Sequence, residues 1–172
     1  MENIKLPNTR LDVSKLLSGE EDKLTFEVEP QPGIDDPDIK ILSVRFSGEA
    51  KEIGGFIELN GTISCRFSAH CARCLEELER DLSVEVNVTA IEQDKLADDS
   101  DPDQIPITDG SVDLDALCFE QLAVNLPLRV LCRDDCKGLC FKCGQNLNIS
   151  ECGCDRRQTD LRLEGLMDFF KQ

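Results

Sequence analysis

From Ile57 to Phe67 the chain alternates. Ile57, Leu59, Ile63, Cys65 and Phe67 fall on one parity, and Glu58, Asn60, Thr62, Ser64 and Arg66 on the other. The pattern returns with Leu82, Val84, Val86 and Val88 set against Asp81, Ser83, Glu85, Asn87 and Thr89. Successive side chains of a strand point to opposite faces, so two such runs predict two half-buried strands of an antiparallel sheet. Gly54-Gly55 marks the turn before the first, and SAHCARCLEELER connects the two. Upstream, LTFEV at 24–28 reads as a strand, QPGIDDPD as a loop, and residues 40–50 as a strand with Leu42, Val44 and Phe46 on one face.

Helical spacing is confined to shorter stretches. LDVSKLL at 11–17 predicts a short helix ended by Gly19. SVDLDALCFEQLAVNL predicts a second, with Asp113 as N-cap, a buried stripe of Leu114, Leu117, Cys118 and Leu122, and Pro127 beyond its end. A last helix is expected after Thr159 or Asp160, where Leu163, Leu166, Met167 and Phe170 share a face. Residues 92–110, rich in acids and with two prolines, read as a long mobile loop. The expected fold is α+β: a mainly antiparallel sheet with a few short helices and a C-terminal cysteine-rich zinc knuckle. The expected division is an acidic sheet domain over 1–131 and a metal-binding tail with a C-terminal helix over 132–172.

Composition supports a folded chain. Of 172 residues 40% are hydrophobic, although the formal charge is −16. The start, MENIKLPNTR, has no apolar run behind a basic end, and no segment approaches the ~18 apolar residues of a membrane span. A soluble, cytoplasmic protein is expected, with its thiols reduced. The charge is uneven. Residues 132–158 hold five Lys or Arg against four Asp or Glu, and the rest of the chain 14 against 31. A phosphate backbone repels such an acidic body, which is better suited to a basic protein partner.

Ten cysteines carry the chemistry. Cys65 and Cys118 sit on apolar faces and read as core residues. Cys71 and Cys74 form a Cys-x-x-Cys between the two best strands. They read as a pair of metal ligands or as a redox dithiol, the latter discounted because a redox pair usually opens a helix. His70 beside them reads as structural more readily than as a ligand. The other six lie in CRDDCKGLCFKCGQNLNISECGC, residues 132–154. Cys140-Phe-Lys-Cys143-Gly has the form of a zinc knuckle, and Cys152-Gly-Cys154 completes four tetrahedral thiolates. Cys140, Cys143, Cys152 and Cys154 are therefore the preferred ligands. Cys132 and Cys136 are alternates, and Cys71 with Cys74 a second pair or one shared with Cys140 and Cys143. Zinc is favoured over an iron–sulfur cluster. The three-cysteine spacing from Cys136 to Cys143 also matches radical enzymes that use S-adenosylmethionine, but a large α/β barrel is not expected after it. A closed four-thiolate site is structural. With one histidine and no phosphate-binding glycine loop, no enzyme signature is visible.

These residues resemble the YceD family, the large ribosomal RNA subunit accumulation proteins of bacteria and plastids. Two stretches carry the resemblance: Cys71-Ala-Arg-Cys74-Leu75 after a strand, and IPITDGSVDLDALCFEQLAVNLPLRVLCRDDCKGLCFKCGQNLN. The ending TDLRLEGLMDFF is also similar to the family's tail. Phe141 departs from the proline expected after Cys140. The resemblance implies a non-enzymatic part in large-subunit rRNA accumulation, in ribosome assembly or pre-rRNA processing. The implied partners are a basic ribosomal protein, an assembly factor, or pre-rRNA within a ribonucleoprotein, with no membrane and no small-molecule substrate. Any RNA contact is expected at Arg133, Lys137, Lys142, Arg156 and Arg157. The rival readings are a dithiol redox protein using Cys71 and Cys74, and a zinc-dependent nucleic-acid binder.

Overall fold

A computed structural model describes residues 9–95 and 103–154. The helix expected after Thr159 or Asp160 lies outside these residues. Two compact units are present. Residues 9–69, 77–95 and 103–128 form the first, and residues 70–76 and 129–154 the second.

The first unit is a seven-stranded sheet of order β1-β7-β6-β5-β4-β3-β2. Its strands are β1 (Arg10–Asp12), β2 (Lys23–Val28), β3 (Ile39–Ile53), β4 (Phe56–His70), β5 (Glu77–Glu92), β6 (Gln104–Thr108) and β7 (Ser111–Asp113). Helix α1 is Ser14–Leu17, and α2 is Leu114–Asn125. The long alternating runs form β4 and β5. Ile57, Leu59, Ile63, Cys65 and Phe67 of β4, and Val84, Val86 and Val88 of β5, are buried. Gly54 and Gly55 join β3 to β4 with φ of 62° and 91°, a two-residue turn that matches strand twist and suits glycine at both places.

The sheet is mainly antiparallel but mixed: β1–β7, β2–β3, β3–β4 and β6–β7 are antiparallel, and β5 and β6 run parallel from Thr89↔Gln104 to Glu92↔Ile107. Three expectations need correction. The stretch read as one loop over 92–110 contains β6, which buries Ile105 and Ile107. Pro106 is tolerated there because the short β7 pairs only with Ile107 and Thr108, leaving Pro106 a strand neighbour on one side. Leu42 does not share a face with Val44 and Phe46. The β3–β4 register shifts between Ile41 and Ser43, and Leu42 is exposed at that bulge. Finally, Arg10–Asp12 is a strand, so the first helix begins only at Ser14.

Helix α2 forms where expected. The Asp113 carboxylate accepts from the Ala116 amide at 3.0 Å, and Leu114, Leu117, Cys118 and Leu122 are buried. No helix among the described residues is long and apolar enough to cross a membrane.

Candidate metal centres

The second unit gathers eight cysteines into two groups of four. One is Cys71, Cys74, Cys132 and Cys136; the other is Cys140, Cys143, Cys152 and Cys154. Within each group the sulfurs all lie within 4.8 Å of one another. Cys71 and Cys136 have Sγ atoms 3.8 Å apart, and Cys74 and Cys132 3.6 Å. These are not disulfides, whose sulfurs stand at about 2.05 Å. Four sulfurs at ~2.3 Å from one tetrahedral ion stand about 3.8 Å from each other, so the spacing fits a single ion.

In the first group, Cys71 and Cys74 lie in the segment that leaves β4 and enters β5. The Cys71 amide donates to the Glu76 carbonyl at 2.8 Å, and the Leu75 amide donates back to the Cys71 carbonyl at 2.9 Å. The Ala72 amide donates to the Val130 carbonyl at 2.9 Å, bringing the residues before Cys132 alongside. Arg73 binds the same segment: its Nη1 donates to the carbonyls of Cys136 at 2.9 Å and Asp134 at 3.3 Å. Its own carbonyl accepts from the Leu139 amide at 3.0 Å. Gly138, at φ 72°, passes so close that a Cβ there would meet the Arg73 carbonyl oxygen at 3.0 Å. Cys71, Cys74 and Cys136 are buried.

In the second group, the Cys140 amide donates to the Gln145 carbonyl at 2.8 Å, and the Gly144 amide donates to the Cys140 carbonyl at 2.8 Å. Cys140 is buried and Cys143 exposed.

The electrostatics of the two groups are alike. Burial pushes the Cys71 thiol up, but the amides of Arg73, Cys132 and Cys74 turned towards its sulfur bring it down to about 6. The amides of Cys143 and Lys142 bring Cys140 down to about 6 against its own burial. Burial, with the neighbouring sulfurs of Cys136, Cys74 and Cys71, pushes Cys132 up to about 12. Cys154 is pushed up to about 12 by the Cys143 thiol and by burial. Each group thus holds an anchor that ionises readily and a partner that keeps its proton while no cation is near. A divalent ion offsets the repulsion among four thiolates and displaces those protons.

The preferred set of Cys140, Cys143, Cys152 and Cys154 comes together as one group. The alternates Cys132 and Cys136 join Cys71 and Cys74, so the pair at 71 and 74 is placed with them and not with Cys140 and Cys143. Exposed His70 is in neither group. Cys65 and Cys118 are buried in the first unit, and burial pushes Cys118 up to about 12. Arg133, Lys137 and Lys142 are exposed on the second unit, Arg133 with its Nε 3.4 Å from Asp135; Arg156 and Arg157 lie outside the described residues. Two supporting residues escaped the reading of the sequence. Arg73 had only its place between two cysteines to mark it. Asn148 donates from Nδ2 to the Cys136 sulfur at 3.3 Å, and a polar loop residue carries no signal of such a role.

Comparison with known proteins adds an independent finding. The profile of one family, described as large ribosomal RNA subunit accumulation protein YceD, matches residues 59–170, a span that includes all eight grouped cysteines. An uncharacterised protein of Mycobacterium tuberculosis is 30% identical over 112 residues, which is 64% of this chain and 54% of that protein. A chloroplastic protein of Zea mays, named large ribosomal RNA subunit accumulation protein YCED homolog 1, is 33% identical over 69 residues, 40% of this chain and 24% of its own length. The chain spans about half the length of the mycobacterial relatives it matches. No solved structure matches it.

Proposed function

The chain belongs to the YceD family of large ribosomal RNA subunit accumulation proteins, and on that premise we propose that it is a non-enzymatic ribosome-biogenesis factor whose second unit is folded by zinc. The observation that carries the reading is the family match across 59–170, joined to two closed sets of four sulfurs inside that span. A metal ion with four thiolates has no open position for water or substrate, so its work is to hold the chain. Zinc suits the sets because it is tetrahedral, takes thiolates readily and is redox-inert. An iron–sulfur cubane spreads its ligands around several metal atoms, which fits sulfurs held within 4.8 Å less well.

Charge favours a protein partner. The formal charge is −16, and a divalent ion with four thiolates adds a net double negative charge at each site. A basic ribosomal protein or an assembly factor on the ribonucleoprotein is therefore the preferred contact over bare rRNA. A reducing compartment such as the cytoplasm keeps the eight thiols available for metal. Depletion in the organism that carries the protein tests the reading. The ratio of large- to small-subunit rRNA should fall, with a matching loss of large subunits on sedimentation. Unchanged profiles after full depletion would overturn it.

A further inference from the structure

The two groups are not independent pieces of chain. Residues 144–151 connect Cys143 to Cys152 and so close the second group. They are fastened onto residues 136–139, which leave the first. Asn148 provides the closest link: its Nδ2 donates to the Cys136 sulfur at 3.3 Å and its Oδ1 accepts from the Lys137 amide at 2.8 Å. Around it, the Leu147 amide donates to the Gly138 carbonyl at 2.9 Å, Leu139 and Asn146 form an antiparallel bridge, and Leu147 is buried. The Asn148 backbone amide donates to its own loop, to Asn146 Oδ1 at 2.9 Å, which holds the Asn146 side chain against the Asn148 backbone.

An N–H bond to a metal-bound thiolate is charge-assisted, and stronger than one to a neutral thiol. Cys136 therefore holds Asn148 hardest when the first group carries its ion. Holding Asn148 fixes the loop that must be ordered before Cys152 and Cys154 can meet Cys140 and Cys143. The ordering entropy met by one ion is not met again by the other, and such linkage acts equally in both directions.

We infer that Asn148 is a positioning residue that couples the two metal sites, so that each site binds its ion more tightly when the other is filled. The inference rests on the reading that both groups take a divalent ion. The full-length chain, stripped of metal under reducing conditions, is titrated with Co2+, and thiolate-to-cobalt absorption and bound metal are measured. Two ions should bind with a Hill slope above one. Cys71→Ser, which disables the first site, should weaken Co2+ binding at the second by about tenfold. Asn148→Ala should bring the slope to one and remove most of the effect of Cys71→Ser, the non-additivity expected of a coupled pair. Asn148→Asp keeps the acceptor for the Lys137 amide but loses the donor to sulfur, and should act like the alanine variant. Because Asn148→Ala and Asn148→Asp keep every ligand, they remain informative if Cys71→Ser unfolds the unit. Two ions bound with a slope of one, and unchanged by Asn148→Ala, would overturn the coupling and leave the metal reading intact. Fewer than two ions bound by the unaltered chain would overturn both.

Discussion

Leu75 and Gly144 hold the same place in two copies of one turn. Each follows the second cysteine of a Cys-x-x-Cys, and each has positive φ, 60° and 74°. Each donates its amide to the first cysteine's carbonyl, at 2.9 Å and 2.8 Å. In each, the first cysteine's amide donates to the residue after, Glu76 or Gln145, at 2.8 Å. Glycine adopts this left-handed backbone freely, whereas a side chain there costs roughly 1 kcal/mol. Leu75 is 63% exposed, so little burial offsets that cost. Leu75→Gly should be neutral or stabilising by up to about 1 kcal/mol, and Gly144→Ala destabilising by about 1 kcal/mol. Thermal unfolding of the metal-loaded protein measures both. Gly144→Ala with an unchanged transition would show that the turn does not need its left-handed residue.

Gly48 and Gly61 face each other across β3 and β4. A Cβ on Gly61 would lie 2.6 Å from the Ser47 carbonyl oxygen and 2.8 Å from Cε2 of Phe46, whose ring packs edge-on against Phe26 at 5.0 Å. The fully buried Phe46 has no room to retreat. Gly61→Ala should therefore cost about 1–3 kcal/mol, as overpacking a filled core does. Denaturant unfolding should show a lower midpoint with an unchanged slope. A midpoint equal to that of the parent would mean the two strands can part at this pair without cost.

The carboxyl of Glu49 is held down at about 2, first by Lys23 and then by Lys51, against an ordinary value of 4.5. Lys51 is raised in turn by the same contact. A depressed carboxyl stabilises the fold at all pH above its unfolded value. That contribution fades as pH falls from about 4.5 through about 2. The Glu49 carboxyl resonance should titrate near the lower figure, and Glu49→Gln should flatten the acid limb of stability in that window. A carboxyl midpoint near 4.5 would show the lysines do not hold it in solution.

The strands of the central hairpin were readable because period-two alternation needs nothing beyond the local chain. The same alternation was present in Gln104–Thr108, and Asp109-Gly110 after it spells a tight turn, both with positive φ. The surrounding acids and Pro106 hid it, and parallel pairing to a distant part of β5 leaves no local mark. Leu42 was misplaced because a bulge breaks the parity on which the reading depends. Among the cysteines, the set of four at 140–154 could be assembled from spacing. The placement of Cys132 and Cys136 with Cys71 and Cys74 could not, because it joins residues 58 and 65 positions apart, as Cys74 with Cys132 and Cys71 with Cys136. Spacing along the chain does not say where a strand connection ends up in space.

Metal removal should act on one unit far more than on the other. Among the described residues of the second unit, the buried apolar ones are Val130, Leu147 and four cysteines, Cys71, Cys74, Cys136 and Cys140. That is too little to offset the conformational entropy of ordering the segment, since each residue costs about 1–2 kcal/mol. Four-thiolate zinc sites supply on the order of 10 kcal/mol, enough to fold such a segment. The first unit has its own core in Phe46, Ile57, Leu59, Ile63, Phe67, Leu114 and Leu122, none of which belongs to either cysteine group. Chelation under reducing conditions should therefore abolish amide-exchange protection at Leu75, Leu139, Cys140, Gly144 and Leu147, whose amides bond only within the second unit. Protection along β3, β4 and β5 should persist, as should the strand signature in circular dichroism. Re-addition of Zn2+ should restore the lost protection. If chelation leaves the amides of Cys140 and Gly144 as protected as before, the second unit folds without metal and the eight thiols have some other use.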